Sequence, residues 1–238
     1  AVAGDIPLVE DGACAAGAAY RDVPAGGLGN IGCFSFHPRK SITTGEGGMV
    51  TTNDDRLAEV IGMLRNHGAS VSEEQRHLGP RPYILPEFNM LGYNYRMTDL
   101  QGAVGVVQIK KLDAFIDERD RWAKYYGQEL AAISWLRTPS HSATYRHGWQ
   151  SYVTLVDQRK APMARNDIME QLQAHGISTR PGTHAVHMLA YYRDKYKLRP
   201  SDYPGAQLAN DCSMAIPLHN RMSAEDYQYV VNAIKALG

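Results

Sequence analysis

One segment constrains this chain more than any other: Cys33-Phe-Ser-Phe-His-Pro-Arg-Lys-Ser-Ile-Thr-Thr-Gly-Glu-Gly-Gly-Met-Val50. A short apolar strand enters a proline-bearing turn, Lys40 stands at that turn, and a glycine cluster leads into a second apolar strand at Met49. Apolar runs this short, bounded by Gly and Pro, read as strands rather than helices. An earlier run, Ile6 to Glu10, ends at Asp11. In α/β sheets, ligand sites gather at the carboxyl ends of strands. A strand-end carboxylate and a strand-end lysine are therefore candidates for one site, although Lys40 taken alone reads as a solvated surface charge.

Residues 1–52 predict strand–loop–strand–loop–strand, with Asp22, Pro24, Gly26 and Gly27 marking a loop. Asn53 is expected to cap a helix in which Leu57, Val60, Ile61 and Leu64 form one apolar face. His67 to Pro86 is expected to be a long loop. Thr98 and Gln101 have capping-box spacing, so a helix should start there and bury Leu100, Ala103, Val104 and Val107. Leu112, Phe115 and Ile116 carry the pattern into a charged segment, Asp117 to Lys124. Beyond about residue 120 the expected elements change. They are a strand at Gln150–Val156, a helix over Pro162–His175 closed by Gly176, and a loop from Thr179 to His187. The aromatic, basic stretch Tyr191–Tyr196 follows, then a helix around Gly205–Cys212 and a strand at Met214–Leu218. Ser223 caps a closing helix with Tyr227, Val230, Val231 and Ile234 inward. The chain thus divides into residues 1–118 and a distinct α+β unit, residues 119–238.

Composition excludes several classes. Lys plus Arg number 25 and Asp plus Glu number 25, so the charge expected of a nucleic-acid binder is missing. No apolar run approaches membrane length, and no basic-then-apolar leader is seen. Position 1 is Ala, which suggests a fragment, a processed product or a trimmed chain. Cys14, Cys33 and Cys212 are sparse and odd in number, which points to reduced thiols and the cytoplasm. Gly27-Leu-Gly-Asn-Ile-Gly32 matches the dinucleotide fingerprint by letter, but it follows a loop and enters a strand, the reverse of what phosphate binding needs. His184 and His187 lack the neighbours and spacing of metal ligands. No Gly-x-Ser-x-Gly elbow supports a serine hydrolase. Trp122, Trp135 and Trp149 read as core or interface residues rather than base-stacking platforms.

Lys40 and Asp11 remain. A lysine amine can form a Schiff base with an aldehyde. If that aldehyde is pyridoxal phosphate, its ring nitrogen needs a carboxylate, the role open to Asp11. Ser35 and Asn94 could supply phosphate donors, and Asn94 and Arg96 lie just before a predicted helix N-terminus, which suits an anion.

Glu10-Asp-Gly-Ala13, Gly32 through Lys40, Thr44-Gly-Glu-Gly-Gly-Met49 and Gly92-Tyr-Asn-Tyr-Arg-Met-Thr-Asp-Leu-Gln101 resemble the DegT/DnrJ/EryC1/StrS aminotransferases. The similarity extends to Thr179-Arg-Pro-Gly-Thr-His184 and the closing segment. It implies an α/β, fold-type-I pyridoxal-phosphate transferase of aspartate-aminotransferase type, here the later part of the large domain plus an α+β C-terminal small domain. By resemblance, Lys40 carries the cofactor and moves the proton, Asp11 meets the pyridine nitrogen and Ser35 binds phosphate. Asn94 matches a residue that reaches the phosphate of the other subunit's cofactor, which implies a homodimer. Cys14 stands where the family has Gln or His against the pyridoxal O3′. Arg180, His184 and His187 become candidate contacts to the substrate. The family's N-terminal stretch, with a phosphate loop and a ring-stacking aromatic, has no counterpart here. The implied activity is transfer of an amino group from glutamate to a nucleotide-linked keto-sugar, with no nucleic acid, membrane or metal involved. A lysine rather than a histidine at position 40 argues against the family's dehydratases, and a non-catalytic dimerising or regulatory homologue is the alternative of a different class.

Overall fold

The computed structural model describes residues 4–71, 78, 79, 81, 83 and 85–238. Part of the loop expected between His67 and Pro86 therefore lies outside the described residues. In chain order the elements begin with β1 (Val9–Asp11), β2 (Ala19–Tyr20), β3 (Val23–Pro24), β4 (Ile31–Ser35) and β5 (Gly48–Thr51), then α1 (Asp55–Leu64) and α2 (Asp99–Ile109). They continue with α3 (Leu112–Glu129), β6 (Leu136–Arg137), β7 (Tyr145–Arg146), β8 (Tyr152–Val156), α4 (Arg165–Ala174), β9 (Arg180–Pro181), α5 (Ala190–Tyr196), α6 (Pro204–Cys212), β10 (Ser213–Ile216) and α7 (Ala224–Lys235). Two compact units result: Ala1–Asp113 with Ala143–Gly148, and Ala114–Ser142 with Trp149–Gly238. The division falls at the start of α3 rather than at residue 118, because α3 runs unbroken through the charged segment 117–124.

In the first unit, β4 is the central strand of a sheet ordered β1-β4-β5. β1 pairs with it in parallel, Asp11 opposite Cys33, and β5 pairs antiparallel, Gly48 opposite Ser35. The carboxyl ends of β1 and β4 therefore share one edge of the sheet. The segment between them, expected to be a loop, contains a β2–β3 hairpin. Its two turn residues, Arg21 and Asp22, have φ of 48° and 67°, the two-residue geometry that matches strand twist. β7 adds a third strand beside β2.

The glycine run that imitates a dinucleotide loop wraps around a carboxylate of the chain itself. Glu10 accepts the backbone N–H groups of Gly26 (2.8 Å), Leu28 (2.6 Å) and Gly29 (2.5 Å). This anion is internal, so the loop is already satisfied before any ligand arrives. Burial works to raise the Glu10 pKa, but the three N–H donors together hold it below the usual carboxylate value.

Two helix expectations need correction. The cap of α1 is Asp54, whose Oδ1 accepts from Leu57 N at 3.0 Å, one residue beyond Asn53. The capping box of α2 forms as expected between Thr98 and Gln101. Its apolar residues, however, are not buried: Leu100 is 83% exposed, Val104 47% and Val107 53%. Small and amide side chains face inward instead. Gln101 donates to the Glu46 carbonyl (2.8 Å), Gln108 accepts from Thr43 N (3.3 Å), and a Cβ at Gly105 would meet Thr44 at 3.2 Å. Among the described residues of this unit, only Ile42 and Ala69 are buried hydrophobics.

The second unit carries the apolar core. Its sheet is ordered β6-β8-β10-β9 and fully antiparallel. Ile116, Arg119, Ala123 and Tyr126 of α3 face inward at helical spacing. Leu172, Met214, Tyr227 and Ile234 are wholly buried, and Trp135 and Trp149 join them, as expected for core tryptophans. The buried Arg119 guanidinium is satisfied by Asn220 Oδ1 (2.8 Å) and the Trp149 carbonyl (3.3 Å).

Two measurements follow from this architecture. Ile234→Ala should cost about 2–5 kcal/mol, read by urea titration of the fluorescence of Trp122, Trp135 and Trp149, which all lie in the second unit. A cost under half that range would mean the core is not packed as described. Glu10→Gln should destabilise the first unit by roughly 1–2 kcal/mol at neutral pH, followed by hydrogen exchange of the Gly26, Leu28 and Gly29 amides. Because folding lowers the Glu10 pKa, its contribution is present above the unfolded value near 4.5 and is lost as pH falls through the folded value. The wild type, not the variant, should lose that protection on acidification.

Candidate active site

Four of the residues singled out in the sequence lie on the shared edge of β1 and β4. Asp11 ends β1, and its Oδ1 accepts the N–H of Ala13 at 3.1 Å. Among the described residues its Oδ2 has no hydrogen-bond donor, so one carboxylate oxygen is open. Gly12 follows because the turn lies directly against β4: a Cβ there would approach the Cys33 carbonyl and the Phe34 ring to 3.1 Å. That close approach carries the turn on to Cys14, an exposed thiol.

Ser35 ends β4, and its hydroxyl accepts the N–H of His37 at 3.3 Å. The chain then makes a closed loop from Phe36 to Gly47. Phe36 N donates to the Gly47 carbonyl (2.8 Å), while the Phe36 carbonyl accepts from Thr44 N (3.1 Å) and Thr43 Oγ1 (2.8 Å). Gly47 has φ of 150°, and a Cβ on it would strike Thr44 Oγ1. Ser41, Ile42 and Thr44 are buried inside the loop. Lys40 therefore sits immediately before the anchored part, half-buried, with its own N–H on the His37 carbonyl (2.9 Å). Its Nζ lies 3.0 Å from Cys14 Sγ. The lysine of one strand end thus touches the turn that follows the aspartate of the other.

Asn94 is placed separately. Residues 93–95 pair with the end of α1: Tyr93 N donates to the Leu64 carbonyl (2.7 Å), Tyr95 N to the Arg65 carbonyl (2.9 Å), and Asn66 bridges Asn94. The Asn94 side chain is exposed and makes no hydrogen bond among the described residues. Arg96, read as a possible anion contact, donates to Asn66 Oδ1 at 2.8 Å. Among the described residues no hydrogen bond joins Asn94 to Lys40.

Arg180, His184 and His187 belong to the second unit. Arg180 is exposed on β9 and His184 is exposed just after it. His187 is buried, its Nε2 3.1 Å from the Pro200 carbonyl and its ring packed on Tyr203. Its ring is therefore turned into its own unit. Among the described residues no cluster of His, Cys, Asp or Glu is suited to hold a metal ion, and no helix is long and apolar enough to cross a membrane.

Glu10 and Gln108 escaped the sequence reading. Glu10 reads only as the polar end of a strand, and the sole signal was its place beside Asp11 and ahead of a glycine run. Gln108 lies at the far end of α2, and nothing local ties it to Thr43.

Known proteins resemble this chain in sequence and in fold. GDP-perosamine synthase of Caulobacter vibrioides is 34% identical over 95% of this chain and 57% of its own length. Spore coat polysaccharide biosynthesis protein SpsC of Bacillus subtilis is 33% identical over 96% of this chain and 59% of its own. The X-ray structure of an aminotransferase from Psychrobacter cryohalolentis superimposes with a TM-score of 0.88 at 25% identity, over 98% of this chain and 62% of that one. The chain thus spans about three-fifths of the length of the relatives it matches. The fold is that of the aminotransferases, and the sequence matches one family from residue 1 to residue 235: the chain belongs to the DegT/DnrJ/EryC1/StrS aminotransferase family.

Proposed function

We propose that this protein is a pyridoxal-phosphate-dependent aminotransferase. It would move an amino group from glutamate to a keto-sugar carried on a nucleotide, in amino-sugar or polysaccharide biosynthesis in the cytoplasm. One observation carries the reading: Lys40 Nζ lies against the Asp11–Cys14 turn, so an amine and an open carboxylate oxygen share one sheet edge. Family membership and the two relatives, named for polysaccharide and perosamine biosynthesis, support a sugar as acceptor.

The residues present fit the cofactor. Among the described residues the Lys40 amine has the Cys14 thiol rather than a carboxylate as its side-chain partner, and an amine placed there is a candidate nucleophile. When bound, pyridoxal phosphate supplies an electron sink for carbanion character at the substrate carbon. Lys40 would hold it covalently through Nζ and carry the proton to and from that carbon. Asp11 would keep the ring nitrogen protonated through its open Oδ2. Ser35 would donate its hydroxyl to the phosphate, and Cys14 would stand beside the pyridoxal O3′, a weaker donor than an amide or imidazole. Arg180 and His184 are the proposed substrate contacts; His187 would take part only by turning out of its packed position.

The exposed Asn94 side chain suits a phosphate contact made across a homodimer, and the exposed apolar residues of α2 suit an assembled state.

The test is spectroscopic. Full-length protein mixed with pyridoxal phosphate should develop visible absorption that Lys40→Ala abolishes, and glutamate should bleach it. Turnover in Lys40→Ala should fall about 10²–10⁴-fold through loss of proton transfer alone. Absence of the band in the full-length protein would overturn the reading in favour of a non-catalytic homologue. Light scattering should give twice the chain mass; a monomer would remove the role of Asn94.

A further inference from the structure

The contact between Cys14 Sγ and Lys40 Nζ at 3.0 Å joins two nucleophiles from different strand ends. Cys14 is exposed, so a dissolved oxidant can reach its sulfur, while Lys40 is half-buried and held by the anchored loop behind it. Oxidised cysteine sulfur condenses with a nearby thiol or nitrogen when one is within reach. Of the remaining cysteines, Cys212 is buried in the second unit, and Cys33 is part-buried within β4, opposite Asp11, so it is the rival that the experiment must separate.

We infer that Cys14 and Lys40 form a reversible, oxidant-driven sulfur–nitrogen cross-link that masks the lysine. Hydrogen peroxide oxidises the Cys14 thiol by two electrons to a sulfenic acid and is itself reduced to water. The free-base Lys40 amine then attacks the sulfur. The S–N bond forms, the S–O bond breaks, and the departing hydroxide takes a proton from nitrogen to give a second water. The product is two hydrogens lighter than the reduced pair. Two equivalents of an external thiol reverse it, becoming a disulfide and returning both the thiol and the amine. A residue without a thiol at position 14 could not do this.

The regulatory meaning rests on the function proposed above, because masking matters only if Lys40 binds a cofactor. The cross-link itself does not depend on that. The experiment treats the full-length protein, freed of cofactor, with peroxide and then trypsin. Masked Lys40 resists cleavage, so the expected species joins the Cys14 peptide ending at Arg21 to the peptide Lys40–Arg56, two hydrogens below the sum of their masses. It should vanish with dithiothreitol, be absent in Cys14→Ser and Lys40→Arg, and persist in Cys33→Ser. A disulfide would instead join the Cys14 peptide to Asp22–Arg39, which carries Cys33, and would overturn the inference. So would Cys14 oxidised to sulfinic acid with Lys40 still cleaved by trypsin. Peroxide-treated protein should also lose the visible band formed with pyridoxal phosphate and regain it after the thiol. If untreated protein shows no band yet the cross-link forms, the cofactor reading fails and the cross-link stands.

Discussion

The position of Lys40 depends on the backbone of Phe36. Its N–H and carbonyl close the loop against Gly47 and Thr44, and Thr43 adds a side-chain bond to the same carbonyl. Backbone groups leaving the sheet must be paired somewhere. Here they are paired within the loop itself, which also buries Ser41, Ile42 and Thr44. The lysine is the last residue before that anchored part. Its reach toward the Asp11–Cys14 turn follows from where the loop is strapped and ends in the contact of Nζ with Cys14 Sγ.

The same sheet edge separates two anions by their surroundings. Glu10 and Asp11 are adjacent, and strand alternation sends their side chains to opposite faces. Glu10 is taken up by three backbone N–H groups, whereas Asp11 keeps one oxygen open. The first ties down the loop between β1 and β4, and the second bonds only to its own turn among the described residues. A glycine run that resembles a phosphate cradle is thus a cradle in fact, but its anion is a residue of the chain.

The two units differ in how they use apolar residues. The second buries a continuous core of aromatic and aliphatic side chains from α3, α4, α7, β8 and β10. In the first, apolar residues of β1, β5 and α2 remain exposed, while amide and small side chains of α2 hold the Lys40 loop. An amphipathic pattern specifies which residues prefer burial, but not what is present to bury them. This is why the closing helix matched its pattern and α2 did not. Tyr227, Val230, Val231 and Ile234 meet a core, whereas Leu100, Val104 and Val107 meet solvent.

Sequence alone determined the strand–turn–strand frame around Lys40, the capping box at Thr98, the cap at Ser223, and the resemblance that ties Lys40, Asp11 and Ser35 to one chemistry. These are local: a cap, a turn or a motif is written in residues a few positions apart. Tertiary structure decided what depends on pairing between distant segments. It set the parallel register that brings Asp11 beside Cys33, the contact of Lys40 with Cys14, the capture of Glu10 by the glycine loop, and the turning of His187 into its own unit. Register and loop closure are fixed by hydrogen bonds and packing across many residues of chain, and no local spacing encodes them.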